Sequence, residues 1–254
     1  MAILVLQHDS DGSLGRLGAC LRDHGQACDV RRLWLPESPG NPHVPTDFDN
    51  VDAVISLGGR ANVGDHTPWM AREIAFLKEA HERRLPLVGI CLGAQMIAKA
   101  LGGEVGPMAD AAGHQITECG MATVRQHPIA NTDIVLAGVP WTTPQMHAHG
   151  HEIKTPPPGA TVLQFSDKCR VQSFRIGLRT YGFQYHFEWD WPMIEGFLWA
   201  MGRAEMLDTP WGIADTHAAI ADAKAGYPEF ARVGDRMCVN LAEYLLPVGR
   251  RILA

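Results

Sequence analysis

Leu85-Pro86-Leu87-Val88-Gly89-Ile90-Cys91-Leu92-Gly93-Ala94-Gln95-Met96-Ile97-Ala98-Lys99-Ala100-Leu101-Gly102-Gly103 is the stretch from which the rest of the chain is read. The apolar run at 85–90 has the length of a buried strand, and the residues from Cys91 to Leu101 have a helical composition. Gly102-Gly103 closes that helix, because glycine readily takes the left-handed conformation at a helix end. The same alternation continues upstream. Residues 2–6, 27–33 and 51–57 are short apolar runs, and a helix is expected at 14–24. A further helix is expected from Thr67-Pro68, with Thr67 as N-cap and Pro68 in the first helical position. Its Met70, Ile74, Phe76 and Leu77 fall mostly on one face, leaving Arg72, Glu73, Lys78 and Glu79 to water. Strands alternating with helices predict an α/β fold: a mostly parallel central sheet flanked by helices.

Beyond Gly103 the pattern changes. Residues 116–125, 134–136, 161–166, 171–176 and 180–187 read as strands joined by turn-rich segments such as Pro156-Pro157-Pro158-Gly159, so this half is expected to be antiparallel or mixed. Three helical segments are expected at 190–205, 213–224 and 228–246, a C-terminal appendage (191–254) packed on the same domain. Trp189, Trp191, Trp199 and Trp211, with Met193, Ile194, Phe197, Leu198 and Met201, give that appendage a broad apolar face. Core packing is the plain reading and a self- or partner-contact surface the alternative.

Composition narrows the function classes. The chain has 254 residues, 22 basic against 28 acidic, and a formal net charge of −6. It has no Lys/Arg-rich block, which argues against nucleic-acid binding or an anionic-membrane address. No apolar run approaches the ~18–20 residues of a membrane span. The six cysteines (20, 28, 91, 119, 169, 238) are scattered without a CxxC pair, and the start of the chain does not read as a secretory signal; a reduced, cytoplasmic protein is expected.

Gly89-Ile90-Cys91-Leu92-Gly93 has the form G-x-C-x-G, the cysteine counterpart of the nucleophile elbow. A nucleophile on a tight strand-to-helix turn needs small neighbours on either side, because strand and helix approach closely there. The helix N-terminus favours thiolate over thiol. A buried core cysteine between two incidental glycines is the plain alternative. In Tyr181-Gly182-Phe183-Gln184-Tyr185-His186-Phe187-Glu188, a strand would put His186 and Glu188 on one face, a general base beside its orienting acceptor; a satisfied core histidine is again the alternative. Gly58-Gly59 ends a predicted strand, where ligands of open α/β sheets bind, or forms an ordinary turn. His147, His149 and His151 alternate as metal ligands would, but no Asp/Cys cluster of metal-site spacing accompanies them, and no metal is expected. Gly102-Gly103-Glu104-Val105-Gly106 follows a helix instead of opening one and lacks the Walker lysine, so no nucleotide site or other cofactor is expected.

The elbow, the His–x–Glu segment, Gly58-Gly59, His149-Gly150 and Pro157-Pro158-Gly159-Ala160 occur in an order that resembles the class I (triad-type) glutamine amidotransferases, in particular stand-alone domains similar to the amidotransferase part of GMP synthase. The resemblance implies a flavodoxin-like amidotransferase domain over residues 1–190. It implies Cys91 as nucleophile, His186 as general acid/base and Glu188 as its orienter, with the amides of Gly59 and Leu92 as oxyanion hole. It further implies Gln95 and the segment 146–150, through Ala148 and His149, as contacts for the substrate. Three positions depart from the family pattern: Phe187 where proline is usual, Arg60 after Gly58-Gly59 where proline is usual, and His151 where aspartate is usual. Three functions stay open. The chain is an amidotransferase or glutaminase with a possible synthetase partner or homo-oligomer, a γ-glutamyl amide or peptide hydrolase, or a noncatalytic binding subunit.

Overall fold

The computed structural model describes residues 2–38, 42–202 and 215–246. Five strands lie parallel at its centre: β1 (Ala2–Gln7), β2 (Cys28–Arg32), β3 (Val51–Ser56), β4 (Leu87–Ile90) and β11 (Thr180–Phe183). The sheet continues antiparallel through β10 (Ser173–Ile176), β9 (Ala160–Phe165), β6 (Glu118–Gln126) and β7 (Thr142–His149), giving the order β2-β1-β3-β4-β11-β10-β9-β6-β7. A small second sheet pairs β5 (Glu104–Pro107) with β8 (His151–Thr155).

Alternation within the strands divides the core. Ile3 and Val5 of β1 pack on one face with α1 (Gly15–Asp23) and α5 (Thr216–Asn240). Leu4 and Leu6 pack on the other with α2 (Met70–Glu82) and α3 (Leu92–Ala100). The inner parallel strands β1, β3 and β4 are mainly apolar because both faces are covered. The tryptophan-rich α4 (Trp191–Met201) joins α5 over Met146 of β7: Trp189, Ile194 and Leu198 are buried there, while Trp199 stays exposed and Trp211 lies outside the described residues. No described helix is long and apolar enough to cross a membrane.

Several elements differ from the sequence reading. Residues 134–136 form no strand, because the carbonyls of Val135 and Ala137 accept from the Asn240 side-chain amide of α5. The helices expected at 213–224 and 228–246 are one helix running through Pro228. That proline is exposed, so the carbonyl it leaves unpaired one turn earlier can be hydrated. The helix expected at Thr67-Pro68 begins at Met70, without a side-chain cap. Glu73, expected on its wet face, is fully buried against β3. Finally β11 stops at Phe183, not Phe187. Its parallel partner β4 ends at Ile90, the Cys91 amide takes the Phe183 carbonyl (2.7 Å), and the chain has no further strand to follow.

Candidate active site

The close approach of β4, α3 and β3 dictates the conformation of residue 91. A Cβ on Gly93 would fall inside contact of the Ser56 carbonyl, and one on Gly89 would lie 2.6 Å from the Gly93 backbone. Helix and strand therefore meet without side chains between them, and the turn is closed by Cys91 at φ 51°, ψ −107°. A positive φ is costly for a residue with a Cβ and persists where the surroundings fix it. Here the amides of Cys91, Gly93 and Gln95 donate to the carbonyls of Phe183, Leu57 and Cys91 respectively. The sulfur projects from the start of α3, 3.8 Å from the Ala148 carbonyl oxygen.

Past the end of β11 the segment 184–189 crosses above this elbow. The His186 amide donates to the Met146 carbonyl (2.8 Å), and its Nδ1 donates to Glu188 Oε1 (2.7 Å). The Cys91 side chain and the same imidazole both lie against Gly58. Burial alone would lower the pKa of His186. Glu188, with help from Cys91, outweighs it and pushes the value up to about 10. The imidazolium thus persists where an ordinary histidine has lost its proton. Trp189 stacks on the ring, with centroids 4.2 Å apart and planes at 25°. Phe187, between the two polar residues, points the other way, into the aromatic core beside Phe183.

Helices α1 and α5 press this segment into place. Arg16 donates its backbone amide to the Glu188 carbonyl (2.8 Å) and its guanidinium to the Trp189 and Ala231 carbonyls. A Cβ on Gly15 or on Gly234 would strike the carbonyls of Glu188 and Phe187. Arg16, Gly234 and Trp189 escaped the sequence reading as supports of the site. Only the tryptophan gave a signal, its place directly after Glu188.

The Gly58-Gly59 loop forms the other wall. A Cβ on Gly58 would lie 2.7 Å from His186 Cε1 and 3.5 Å from the Cys91 Cβ; one on Gly59 would lie 2.7 Å from the His8 Cβ and 3.1 Å from Leu92 Cδ2. Neither the Gly59 nor the Leu92 amide makes a backbone hydrogen bond among the described residues. Arg60, exposed, pairs with Asp11 at the rim. Gln95, one turn into α3, is buried and donates from Nε2 to the Gln184 Oε1 and the His151 carbonyl, both at 3.0 Å.

The His149 ring turns away from the sulfur. Its Nδ1 donates to the His151 carbonyl (3.0 Å), while Nε2 lies 3.0 Å from Glu118 Oε2, across the β6–β7 ladder. His147 approaches the same carboxylate at 3.6 Å, and His151 departs into β8. Glu118, His147 and His149, with donor atoms within 4.8 Å of one another, are the described residues that could hold a metal. Spacing in sequence could not show this, because the carboxylate comes from the neighbouring strand. Burial would raise the pKa of Glu118, but His149 and His147 outweigh it and hold the carboxyl at about 2; burial lowers His147 to about 3. The carboxylate is already engaged, accepting from Ser166 Oγ and Gln172 Nε2 at 2.5 Å each.

The chain is similar to known proteins in both sequence and fold. The family description "Glutamine amidotransferase class-I" matches residues 18–190. The glutamine-hydrolyzing GMP synthase subunit of Saccharolobus solfataricus is 31% identical over 149 residues, 58% of this chain and 73% of that protein. YfeJ, a glutamine amidotransferase-like protein of Salmonella typhimurium, is 28% identical over 207 residues, 78% of this chain and 80% of its own. In fold, a glutamine amido transferase from Methylobacillus flagellatus superposes with a TM-score of 0.80 at 22% identity, covering 96% of this chain and 95% of that one. A glutamine amidotransferase from Thermotoga maritima gives a TM-score of 0.78 at 21% identity, over 96% and 98%. With a family match over residues 18–190, and a backbone that holds a cysteine at positive φ at the start of α3 near a carboxylate-held histidine, the chain belongs to the class-I glutamine amidotransferases.

Proposed function

We propose that the protein hydrolyses the γ-carboxamide of glutamine through a thioester on Cys91, releasing ammonia and glutamate. The observation that carries this reading is the Nδ1–Glu188 bond of His186, which leaves the imidazole's other edge for the sulfur of a strained elbow. The Cys91 thiolate attacks the amide carbon and forms an S–C bond. The oxyanion that develops is received by the Gly59 and Leu92 amides. His186 gives its Nε2 proton to the departing nitrogen as the C–N bond breaks, since an amide nitrogen leaves poorly until protonated. Water then attacks the thioester, giving its proton to His186, and the C–S bond breaks. Residues 148–150 and Gln95 line the amino-acid end of the substrate. No step calls for a metal or cofactor, and the Glu118–His149 pair is read as an internal tie of the 146–150 segment.

The names of the GMP synthase relatives support a further reading, in which ammonia passes to a separate synthetase partner. Six free cysteines and a thiolate nucleophile suit a reducing, cytoplasmic setting. Residues 191–254 are proposed to work as one unit with 1–190, since α5 bears on the triad segment. One observation favours cleavage of a larger γ-glutamyl amide or peptide by the same triad. Arg60, exposed beside Gly58-Gly59, puts a cation at the rim of the site, and with His151 it departs from the family pattern that the resemblance sets. The test is glutamate release from glutamine and from a panel of γ-glutamyl amines. Cys91→Ala should abolish both; a variant that keeps substantial turnover refutes the thioester.

A further inference from the structure

Two consecutive glycines form the wall opposite His186, and a Gly–Gly peptide can rotate at little steric cost. An oxyanion donor on such a peptide works only if its plane is held. The holding group lies behind the loop. His8, at the end of β1 and 6% exposed, places Nδ1 3.2 Å from the Gly58 carbonyl oxygen and Nε2 2.9 Å from Glu73 Oε2. Both partners are acceptors, so both ring nitrogens carry protons and point outward as donors. Glu73, fully buried on α2, also accepts from Ser56 Oγ (2.7 Å), and Trp69 packs on the His8 ring with centroids 4.7 Å apart. The chain Ser56–Glu73–His8–Gly58 thus runs from the sheet to the loop through groups fixed on three elements.

We propose that His8, held by Glu73, is a positioning residue that sets the oxyanion hole by fixing the Gly58–Gly59 peptide plane. A trans peptide points its C=O and the following N–H in opposite directions. With the Gly58 carbonyl drawn back onto His8, the Gly59 N–H is turned away from His8 and toward the space above Cys91. The burial of Glu73 follows: a carboxylate under the loop keeps His8 doubly protonated and its ring fixed. In agreement, Glu73 and the Gly58 carbonyl outweigh the burial of His8 and raise its pKa. The proposal rests on the amidotransferase reading above and adds a residue outside the triad.

The test uses the full chain carrying His8→Leu, which has no donor, and His8→Asn, whose amide nitrogen falls near the position of Nδ1. Three quantities are read: kcat and KM for glutamine, the alkylation rate of Cys91 by iodoacetamide, and the affinity for glutamate γ-semialdehyde. The aldehyde forms a thiohemiacetal whose oxygen occupies the hole, and its binding is measured by protection of Cys91 from alkylation. His8→Leu should lower kcat about 30- to 100-fold, up to the low end of the roughly 100- to 1,000-fold range for outright loss of one oxyanion donor, since the donor is misaligned and not removed. KM should stay within about threefold, the aldehyde should bind weaker by a factor similar to the loss of kcat, and the alkylation rate should stay within about twofold. His8→Asn should recover kcat to within about fivefold of wild type. If His8→Leu does not fold, the double variant His8→Met/Glu73→Met replaces the buried pair by apolar groups of similar size and should show the same losses. Equal impairment by Leu and Asn, or kcat falling with aldehyde affinity unchanged, would overturn the proposal. Failure of the amidotransferase reading looks different: wild type then turns over no γ-glutamyl substrate, yet the protection assay still compares His8 with its variants.

Discussion

Replacing Glu188 by glutamine tests the electrostatics of the site more sharply than deleting the nucleophile. Glu188 is the largest influence raising the pKa of His186 against the burial that lowers it. Without its charge, burial and the loss of the 2.7 Å charge-assisted bond should carry the imidazole from about 10 to 6.5 or below. At ~1.4 kcal/mol per unit, that removes on the order of 5 kcal/mol of preference for the imidazolium. At pH 8 only about 3% of a group with a pKa of 6.5 is protonated, so the acid that protonates the leaving nitrogen is nearly absent. The amide can also present its NH2 to Nδ1 and select the wrong tautomer, a change that costs about 10,000-fold in serine-protease triads. We expect kcat to fall roughly 100- to 10,000-fold, with the alkaline limb of kcat/KM moving from near pH 10 to near or below neutrality. Glutamate release measured from pH 5.5 to 10.5 at constant ionic strength reads both. Stability should follow the same linkage. A raised folded-state value adds stability that is complete below about pH 6.5 and is lost as the pH rises through about 10. The melting temperatures of wild type and variant should therefore differ most below pH 6.5 and converge toward the alkaline end. A Glu188→Gln enzyme with kcat within threefold of wild type and an unmoved alkaline limb would refute the reasoning.

The remaining expectations concern packing and metal. Gly58→Ala places a methyl 2.7 Å from His186 Cε1 and should reduce kcat at least 100-fold while leaving the melting temperature within a few degrees; an active variant would show that the loop moves freely. Gly93→Ala drives a methyl into the Ser56 carbonyl at the elbow, where neither backbone can yield, and should cost roughly 3 kcal/mol or more, read by urea denaturation. Trp189→Leu keeps apolar burial but removes the stack on His186, and should lower kcat about 10-fold with a smaller change in KM. Dialysis against a chelator should leave activity and melting temperature unchanged, because Ser166 and Gln172 already engage both oxygens of the Glu118 carboxylate; a loss restored by a divalent cation would contradict this.

The parallel half of the sheet was legible because its strands are buried on both faces and read as continuous apolar runs: β1, β3 and β4 lie within a few residues of the predicted bounds. Beyond Gly103 the signal weakens. β7 carries Gln145, His147 and His149 inward, three polar residues that alternation assigns to solvent, and the carboxylate beside the two histidines, Glu118, sits on another strand about 30 positions earlier. Glu73 fails for the same reason. A charged side chain on a helix reads as wet unless its partner is known, and the partner, His8, is 65 positions away on another element. The proposed triad was legible for the opposite reason. The elbow needs glycine at 89 and 93 for steric cause, and His186 and Glu188 need only be two apart, so local spacing sufficed even though β11 had already ended.

That last difference bears on how the triad holds together. On a strand, His186 and Glu188 would be neighbours on one face, fixed by ladder hydrogen bonds to both sides. Off the strand they lack that support. Their geometry instead comes from groups that touch them singly: Met146 on the His186 amide, Arg16 on the Glu188 carbonyl, Gly234 beneath Phe187, and Trp189 over the ring. Three of the four lie outside the segment, on β7, α1 and α5. The histidine is thereby coupled to the C-terminal helix and to the strand that leads into the 146–150 segment, while the cysteine backbone is held from β3, β4 and β11. In the proposed triad, motion of α5 or β7 would therefore change the distance between the acid and the nucleophile while leaving the elbow backbone in place.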